Sequence, residues 1–330
     1  MPKNKYSNML TFVVPTLNGL NRVNLVCSWL QHQHFQGHLI VVDGSKKRQN
    51  NWAKRWSFVT YIHVPGCSTQ SAQFHGFQNV STPFASIIGD DDLPVLNGCD
   101  ACIKFLLENK KFGAAHGASS FIDFNKTQDM FESKTALDYR YCFKTFFSGR
   151  YDMHSDYSSE SCLERIEEFS TNYFVSLFCI ARTDLVKKVN NETINEIQDV
   201  HLSEIVSSLG YVISARIKKL PDLYLLRGLG NHRPNASTSA ARHTTLDIQD
   251  ANKSALKYIG HIGVDERYRT VCLAIMISLR LRGFLKTSTL GLQRNQTPSK
   301  YFIQQYRRLK LSFSPSNLVK LELFSWLRNM

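Results

Sequence analysis

Three consecutive carboxylates, Asp90, Asp91 and Asp92, follow directly on a short apolar run at residues 84–88 that is bracketed by Pro83 and Gly89. That run has the length and the flanks of a buried strand. A helix is expected from about Asn97, because Cys99, Cys102, Ile103, Leu106 and Leu107 recur on one helical face. The acidic turn therefore stands at the carboxyl end of a core strand, which is where open α/β sheets bind ligands. Adjacent carboxylates repel one another unless something positive neutralises them, and a hard divalent cation with oxygen ligands is the usual partner. The plainer reading is a solvated acidic turn that caps the next helix.

The segments before this turn alternate. Residues 10–14 read as a strand ended by Pro15-Thr16-Leu17-Asn18-Gly19, and a helix follows through Leu25, Val26, Trp29 and Leu30. Residues 38–42 are a second strand ending in Asp43-Gly44-Ser45, residues 58–64 a third, and residues 68–80 a helical segment that carries Gly76. Strand, helix, strand, strand, helix, strand argues for a mostly parallel sheet with flanking helices. Each strand ends in groups suited to touching a ligand: Thr16 and Asn18, then Asp43, then Asp90 to Asp92. A dinucleotide-binding Rossmann site needs G-x-G-x-x-G after its first strand. The turn here is PTLNGLNR, so that reading fails, and no P-loop is present.

These strand ends, in this order, resemble the nucleotide-binding half of a family 2-type glycosyltransferase of the GT-A fold, of the kind found in bacterial surface-polysaccharide synthesis. Val14-Pro15-Thr16-Leu17-Asn18 resembles that family's opening strand and P-x-x-N turn, and Val41-Val42-Asp43-Gly44-Ser45 resembles its second-strand D-G-S. Gly89-Asp90-Asp91-Asp92 resembles its D-x-D. Where the family has A-R-N-x-x-G, this chain keeps Ala72 and Gly76 but has Gln73 and Phe74. The resemblance implies a nucleotide-sugar donor bound by Pro15, Thr16, Asn18, Asp43, Asp90 and Asp91, with Asp43 on the base. It also implies a divalent metal, Mn²⁺ or Mg²⁺, held against the donor diphosphate by Asp90 and Asp92.

Further along, residues 112–117 read as a strand, and residues 121–131 have the composition of a loop over a site. His116 is expected to be packed, with an approach to the metal as the alternative. Tyr139, Tyr141, Phe143, Phe146, Phe147 and Tyr151 suit either core packing or stacking on sugar faces. Residues 173–181 read as a buried strand with a short helix starting at Arg182-Thr183-Asp184, and residues 212–217 and 222–226 as two more strands. Between them, Leu202, Ile205, Val206 and Leu209 form a helical stripe, with Asp199 at its start and Gly210 expected just past its end. Gln198-Asp199 followed by a helix and Gly210-Tyr211 resembles the family's acceptor-side E-D motif, and the resemblance assigns Asp199 as general base. An N-cap is the plainer role for it. Glu204, about 140° around the helix from Asp199, is the alternative base. The loop Arg227-Gly228-Leu229-Gly230-Asn231-His232-Arg233 offers His232 as a third metal ligand and Arg227 or Arg233 to a diphosphate. Residues 235–241 are small and polar, a flexible boundary or lid.

The expected organisation is a GT-A domain over residues 1–245, with a nucleotide half at 1–95 and an acceptor half at 96–245, then a basic helical region at 246–330. Of the net charge of +13, the stretch from Lys253 to Met330 carries +11, fourteen Lys and Arg against Asp265, Glu266 and Glu322. Helices are expected at about 251–258, 268–285, 300–313 and 317–327. A basic helix with an apolar stripe suits either an anionic membrane leaflet or packing on the catalytic domain. No run approaches the roughly 18–20 apolar residues of a membrane span, and the apolar run near the N-terminus is too short for a signal peptide. The eight cysteines have no framework spacing, and Cys99 and Cys102 fall on an apolar helix face, which fits reduced, packed thiols.

The expected protein is thus cytoplasmic, peripheral on the inner membrane face in one version. It moves a sugar from a nucleotide sugar to a glycan or lipid-linked acceptor, with inversion, and nucleic acid is not an expected partner. The reading from another class is a non-catalytic binding protein that uses the basic tail for membrane or nucleic acid; no nucleic-acid-binding signature is present.

Overall fold

The computed structural model describes residues 5–122, 156–197, 200–228 and 245–264, with single helical positions at 269, 272, 275 and 276. The aromatic stretch at 139–151, Asp199, His232, Arg233, the segment 235–241 and the helices expected at 300–313 and 317–327 lie outside the described residues.

The opening run Leu-Thr-Phe-Val-Val belongs to β1 (Leu10–Thr16), which is buried along nearly its whole length and mostly apolar because helices cover both faces of a mostly parallel sheet. It is followed by α1 (Leu20–His32), β2 (His38–Asp43), β3 (Val59–His63), α2 (Thr69–Gln78) and β4 (Phe84–Ile87). Next come β5 (Leu93–Pro94), α3 (Leu96–Glu108), β6 (Phe112–Ile122), α4 (Cys162–Thr171), β7 (Ile180–Arg182) and α5 (Thr183–Val189). The chain then forms α6 (Val200–Ser214), β8 (Arg216–Gly228) and α7 (Thr245–His261). The strands make one eight-stranded sheet in the order β3-β2-β1-β4-β7-β6-β8-β5. β1 pairs in parallel with both β2 and β4, β2 with β3, and β6 with β8, whereas β7 and β5 run antiparallel to their neighbours.

Helix α1 turns Val23, Val26, Cys27 and Leu30 inward at helical spacing, and α3 does the same with Cys99, Cys102, Ile103 and Leu106. All eight side chains are buried in the core around β1, β2 and β4. A fully buried Val, Leu or Ile contributes roughly 1.5–3 kcal/mol, so these two faces fix both helices to the sheet. Helix α2 approaches β1 through Gly76, where a β-carbon would stand 2.3 Å from Val13 Cγ1. The Cys99-x-x-Cys102 pair is core packing, and no disulfide forms among the described residues.

Two expected strands are shorter than the sequence predicts, with other structure in the first part of each span. Instead of a strand over 173–181, a 3₁₀ turn (Ser176–Phe178) precedes the three-residue β7. Helix α6 does not end before Gly210 but runs on through Val212 to Ser214, so the strand expected over 212–217 starts only at Arg216, and it continues through the expected strand at 222–226 as the single long β8. The physical reason is Arg165 of α4. This buried side chain donates from Nε to Val212 O at 2.8 Å and from Nη2 to Ile213 O at 2.9 Å. It thereby satisfies carbonyls that the last turn of α6 leaves open. Tyr211 and Val212, both fully buried, pack the extension in place.

The chain divides into two compact units, residues 1–196 with 207–233, and residues 197–206 with 234–330. In the second unit, α7 buries Ala255, Tyr258 and Ile259, and Ile262 just past its end is buried as well. None of the described helices is long and apolar enough to cross a membrane.

Candidate functional site

Strands β1, β2, β4 and β8 point the same way, so Thr16, Asp43, the acidic turn and Gly228 share the carboxyl edge of the sheet. The turns there are tied together. The hydroxyl of Thr16 donates to Asp90 Oδ2 at 2.7 Å, joining the ends of β1 and β4. Asn18 adopts a left-handed φ of 53°, which Asn tolerates better than most residues, and its N–H donates to Ser45 Oγ at 2.8 Å. Ser45 in turn donates to Asp43 Oδ1 through both its N–H and its hydroxyl.

Asp43 is fully buried, and its second oxygen accepts from the Tyr61 hydroxyl at 2.7 Å. Burial, and then this hydrogen bond, push the Tyr61 phenol up to about 12. His63 Nε2 meets Ser45 O at 2.8 Å. The carboxylate of Asp43 thus sets the shape of the loop after β2, with Ser45 and Tyr61 as its direct partners. Pro15 is half-buried, while Asn18 and Leu17, the latter 61% exposed, face solvent beside this loop.

The acidic turn is held at both ends. At its start, Arg22 of α1 donates to Asp90 from Nε at 3.0 Å and from Nη2 at 2.6 Å. The Asp90 hydrogen bond raises the Arg22 pKa further. Room for this comes from Gly19, whose missing β-carbon would lie 2.1 Å from Asp90 Oδ2 and 2.5 Å from the Arg22 guanidinium. At the far end, Trp29 Nε1 and Gln33 Nε2 both donate to Pro94 O, at 2.6 and 2.8 Å, and Gln33 Oε1 accepts from Leu96 N at the head of α3.

Asp92, only 2% exposed, folds back on the turn. Its Oδ2 accepts from Gly89 N at 2.8 Å and its Oδ1 from Gly228 N at 3.3 Å. Arg227 lies 3.8 Å from Asp92 and stacks on the Phe178 ring at 4.2 Å. Asp92 therefore joins the turn to β8. Asp91 lies between the other two carboxylates; burial first, and then the charges of Asp92 and Asp90, push its carboxyl up to about 6.

Three carboxylates face two guanidiniums here, and all the side-chain donors are oxygens. In donor type and in excess negative charge the turn fits a hard divalent cation. The described residues contain no group of three His, Cys, Asp or Glu already converged for a metal; Asp90 is turned toward Arg22 and Asp92 toward the backbone. His232 and Asp199 lie outside the described residues, and Glu204 is half-buried on α6 in the second unit. His116 is fully buried, its ring 4.4 Å from that of Phe174.

Arg22, Ser45 and Tyr61 join the site as hydrogen-bond partners that the strand-end pattern does not assign. For Arg22 a signal exists: it stands in the first turn of α1, where the helix dipole disfavours a cation. A separate open recess of about 560 Å³ lies where the β6–β8 register shifts, lined by Ala118, Asp156, Lys219, Leu220 and Pro221, and contains none of the expected site residues.

No protein-family model matches the chain, and no curated protein does. Among solved structures it is similar to S. aureus TarS. Over residues 1–349 of that protein the TM-score is 0.55 at 14% identity, covering 87% of this chain and 75% of the other. The complex of TarS 1–349 with UDP-GlcNAc gives a TM-score of 0.53 at 15% identity, covering 87% and 76%. Against the longer TarS chain the match spans 46% of that protein's length. At these identities the likeness is one of fold: the chain has the α/β architecture of GT-A glycosyltransferases, a mostly parallel sheet with flanking helices.

Proposed function

We propose that this protein is a nucleotide-sugar-dependent glycosyltransferase whose donor lies along the carboxyl edge of β1, β2 and β4. The observation that carries the reading is the Thr16–Asp90 hydrogen bond, which unites the ends of β1 and β4 in one polar cluster with an acidic turn at its centre. The TarS structure determined with UDP-GlcNAc supports a sugar nucleotide as the ligand class for this fold.

In this reading the loop shaped by Asp43, with Asn18, Ser45 and Tyr61, holds the nucleoside, and Pro15 and Thr16 line its approach. The turn Asp90-Asp91-Asp92 would receive the diphosphate, and Asp90, Asp92 and His232 would hold Mn²⁺ or Mg²⁺ against it. The cation supplies charge neutralisation for the departing diphosphate. Asp199 takes the proton from the acceptor hydroxyl as its oxygen bonds to the anomeric carbon and the bond to the diphosphate breaks, so the configuration inverts; Glu204 is the alternative base. The acceptor is a glycan or a lipid-linked glycan, in polysaccharide synthesis of the family 2 type. The basic region from 246 onward places the enzyme on the cytoplasmic face of an anionic membrane.

A thermal-shift screen of UDP-, GDP-, dTDP- and CMP-sugars with Mn²⁺, with Mg²⁺ and with EDTA tests this. One nucleotide class should raise the Tm, and more so with metal, since a ligand at 100 times its Kd stabilises by about 2.7 kcal/mol. No response to any of them defeats the proposal.

A further inference from the structure

Arg22 sits in an unusual place for a cation. It occupies the first turn of α1, where the unpaired N–H groups already carry partial positive charge. Nothing acidic lies near it in the chain: the first 89 residues contain one acid, Asp43. The oxygens of Asp43 are engaged by Ser45 and Tyr61. The guanidinium instead reaches across to the end of β4 and takes both oxygens of Asp90. Gly19 leaves the space for this pair, because any β-carbon there would strike Asp90, Arg22 and Thr16 at once.

The two arginines of the turn are held differently. Arg227 is pinned by its stack on Phe178, and its side chain is 20% exposed. Arg22 is 38% exposed and, within the described residues, its guanidinium hydrogen-bonds only to Asp90. Arg22 is the exposed member of the pair and Asp90 is 15% exposed, so the guanidinium can swing to another anion without unpacking the core, at the cost of its two charge-assisted hydrogen bonds to Asp90.

We propose that Arg22 is the resident counter-cation of the acidic turn: it holds Asp90 in the unliganded protein and yields that carboxylate to a divalent cation when the donor binds. The inference rests on the glycosyltransferase reading. It makes Arg22 a positioning residue that keeps the turn closed to free metal until a diphosphate offers the guanidinium another anion.

Mn²⁺ binding by electron paramagnetic resonance, measured on the full chain without nucleotide, tests the exchange. Arg22→Gln removes the competing charge and should tighten Mn²⁺ binding at least about tenfold. Arg22→Lys keeps a cation and should stay near the wild type. Adding Asp90→Asn to Arg22→Gln should cancel the gain. Equal or weaker Mn²⁺ binding by a folded Arg22→Gln variant overturns the proposal, and so does the absence of Mn²⁺ binding in every variant. If nucleotide sugars still raise the Tm in EDTA in that last case, the transferase reading survives; if they do not, both fall.

Discussion

Thr16 Oγ1 donates to Asp90 Oδ2 across 2.7 Å, and that one bond joins the carboxyl ends of two adjacent parallel strands. Asp90 takes Arg22 on the same oxygen, so the orientation of the carboxylate depends on a neutral donor from β1 and a charged one from α1. Replacing Thr16 by Val keeps the shape and removes the hydroxyl. A hydrogen bond to a charged group contributes about 1.5–3 kcal/mol. The expected loss of nucleotide-sugar affinity by calorimetry is about 3–10-fold, with a fall in stability of about 1–2 kcal/mol. Unchanged affinity with lowered stability would make Thr16 a purely structural residue.

Asp91 provides a pH test. Its carboxyl is raised from 3.8 to about 6 in the folded protein, chiefly by burial. A raised acid pKa means that the folded state holds the proton more tightly than the unfolded chain, so stability falls as pH rises from about 4 to about 6. Above that window the ionised group costs about 2–3 kcal/mol at most. Asp91→Asn should therefore raise the Tm at pH 8 in EDTA and leave it nearly unchanged at pH 4. An equal shift at both pH values would show that the charge is not the cause.

Arg165 supports the end of α6 far along the chain from the acidic turn. Its four donations reach Ser159 O, Glu160 O, Val212 O and Ile213 O. Arg165→Met would leave those carbonyls without their donor, at a cost of about 2–4 kcal/mol. Urea unfolding should register that loss, while nucleotide-sugar affinity measured on the folded fraction stays unchanged.

The choice of base is decided by kinetics. A well-placed general base contributes about 10²–10⁴ in rate. Asp199→Asn should lower kcat by that factor with donor affinity intact, and Glu204→Gln should have a much smaller effect. The reverse pattern would assign the base to Glu204.

Much of this architecture is legible in the residues themselves. Predominantly apolar runs at 10–14, 38–42 and 84–88 announce buried strands, and the helical spacing of Val26, Leu30, Cys99, Cys102 and Leu106 announces the helices that cover them. The end of α6 was not legible, because Gly210 with Tyr211, Val212 and Ile213 carries both a helix-stop signal and β-branched residues. Arg165, some 47 residues earlier, overrides both. The strand-end pattern also singles out Thr16, Asp43 and Asp90, which the structure brings to one edge of the sheet. Adjacent carboxylates call for a positive partner, and in the structure two arginines stand beside them, from positions 68 residues before Asp90 and 135 residues after Asp92. Local pattern carries no information about pairings so distant in the chain.

The central claim is where the donor binds, and a crystal structure of the complex with the nucleotide sugar selected by the thermal screen tests it most directly. The account predicts the nucleoside beside the Asp43–Ser45 loop and Tyr61, and the diphosphate against Thr16 and the turn Asp90-Asp91-Asp92, with Arg22 moved off Asp90. Density for the nucleotide elsewhere, for instance in the recess lined by Ala118, Lys219 and Pro221, with the Arg22–Asp90 pair intact, would contradict it.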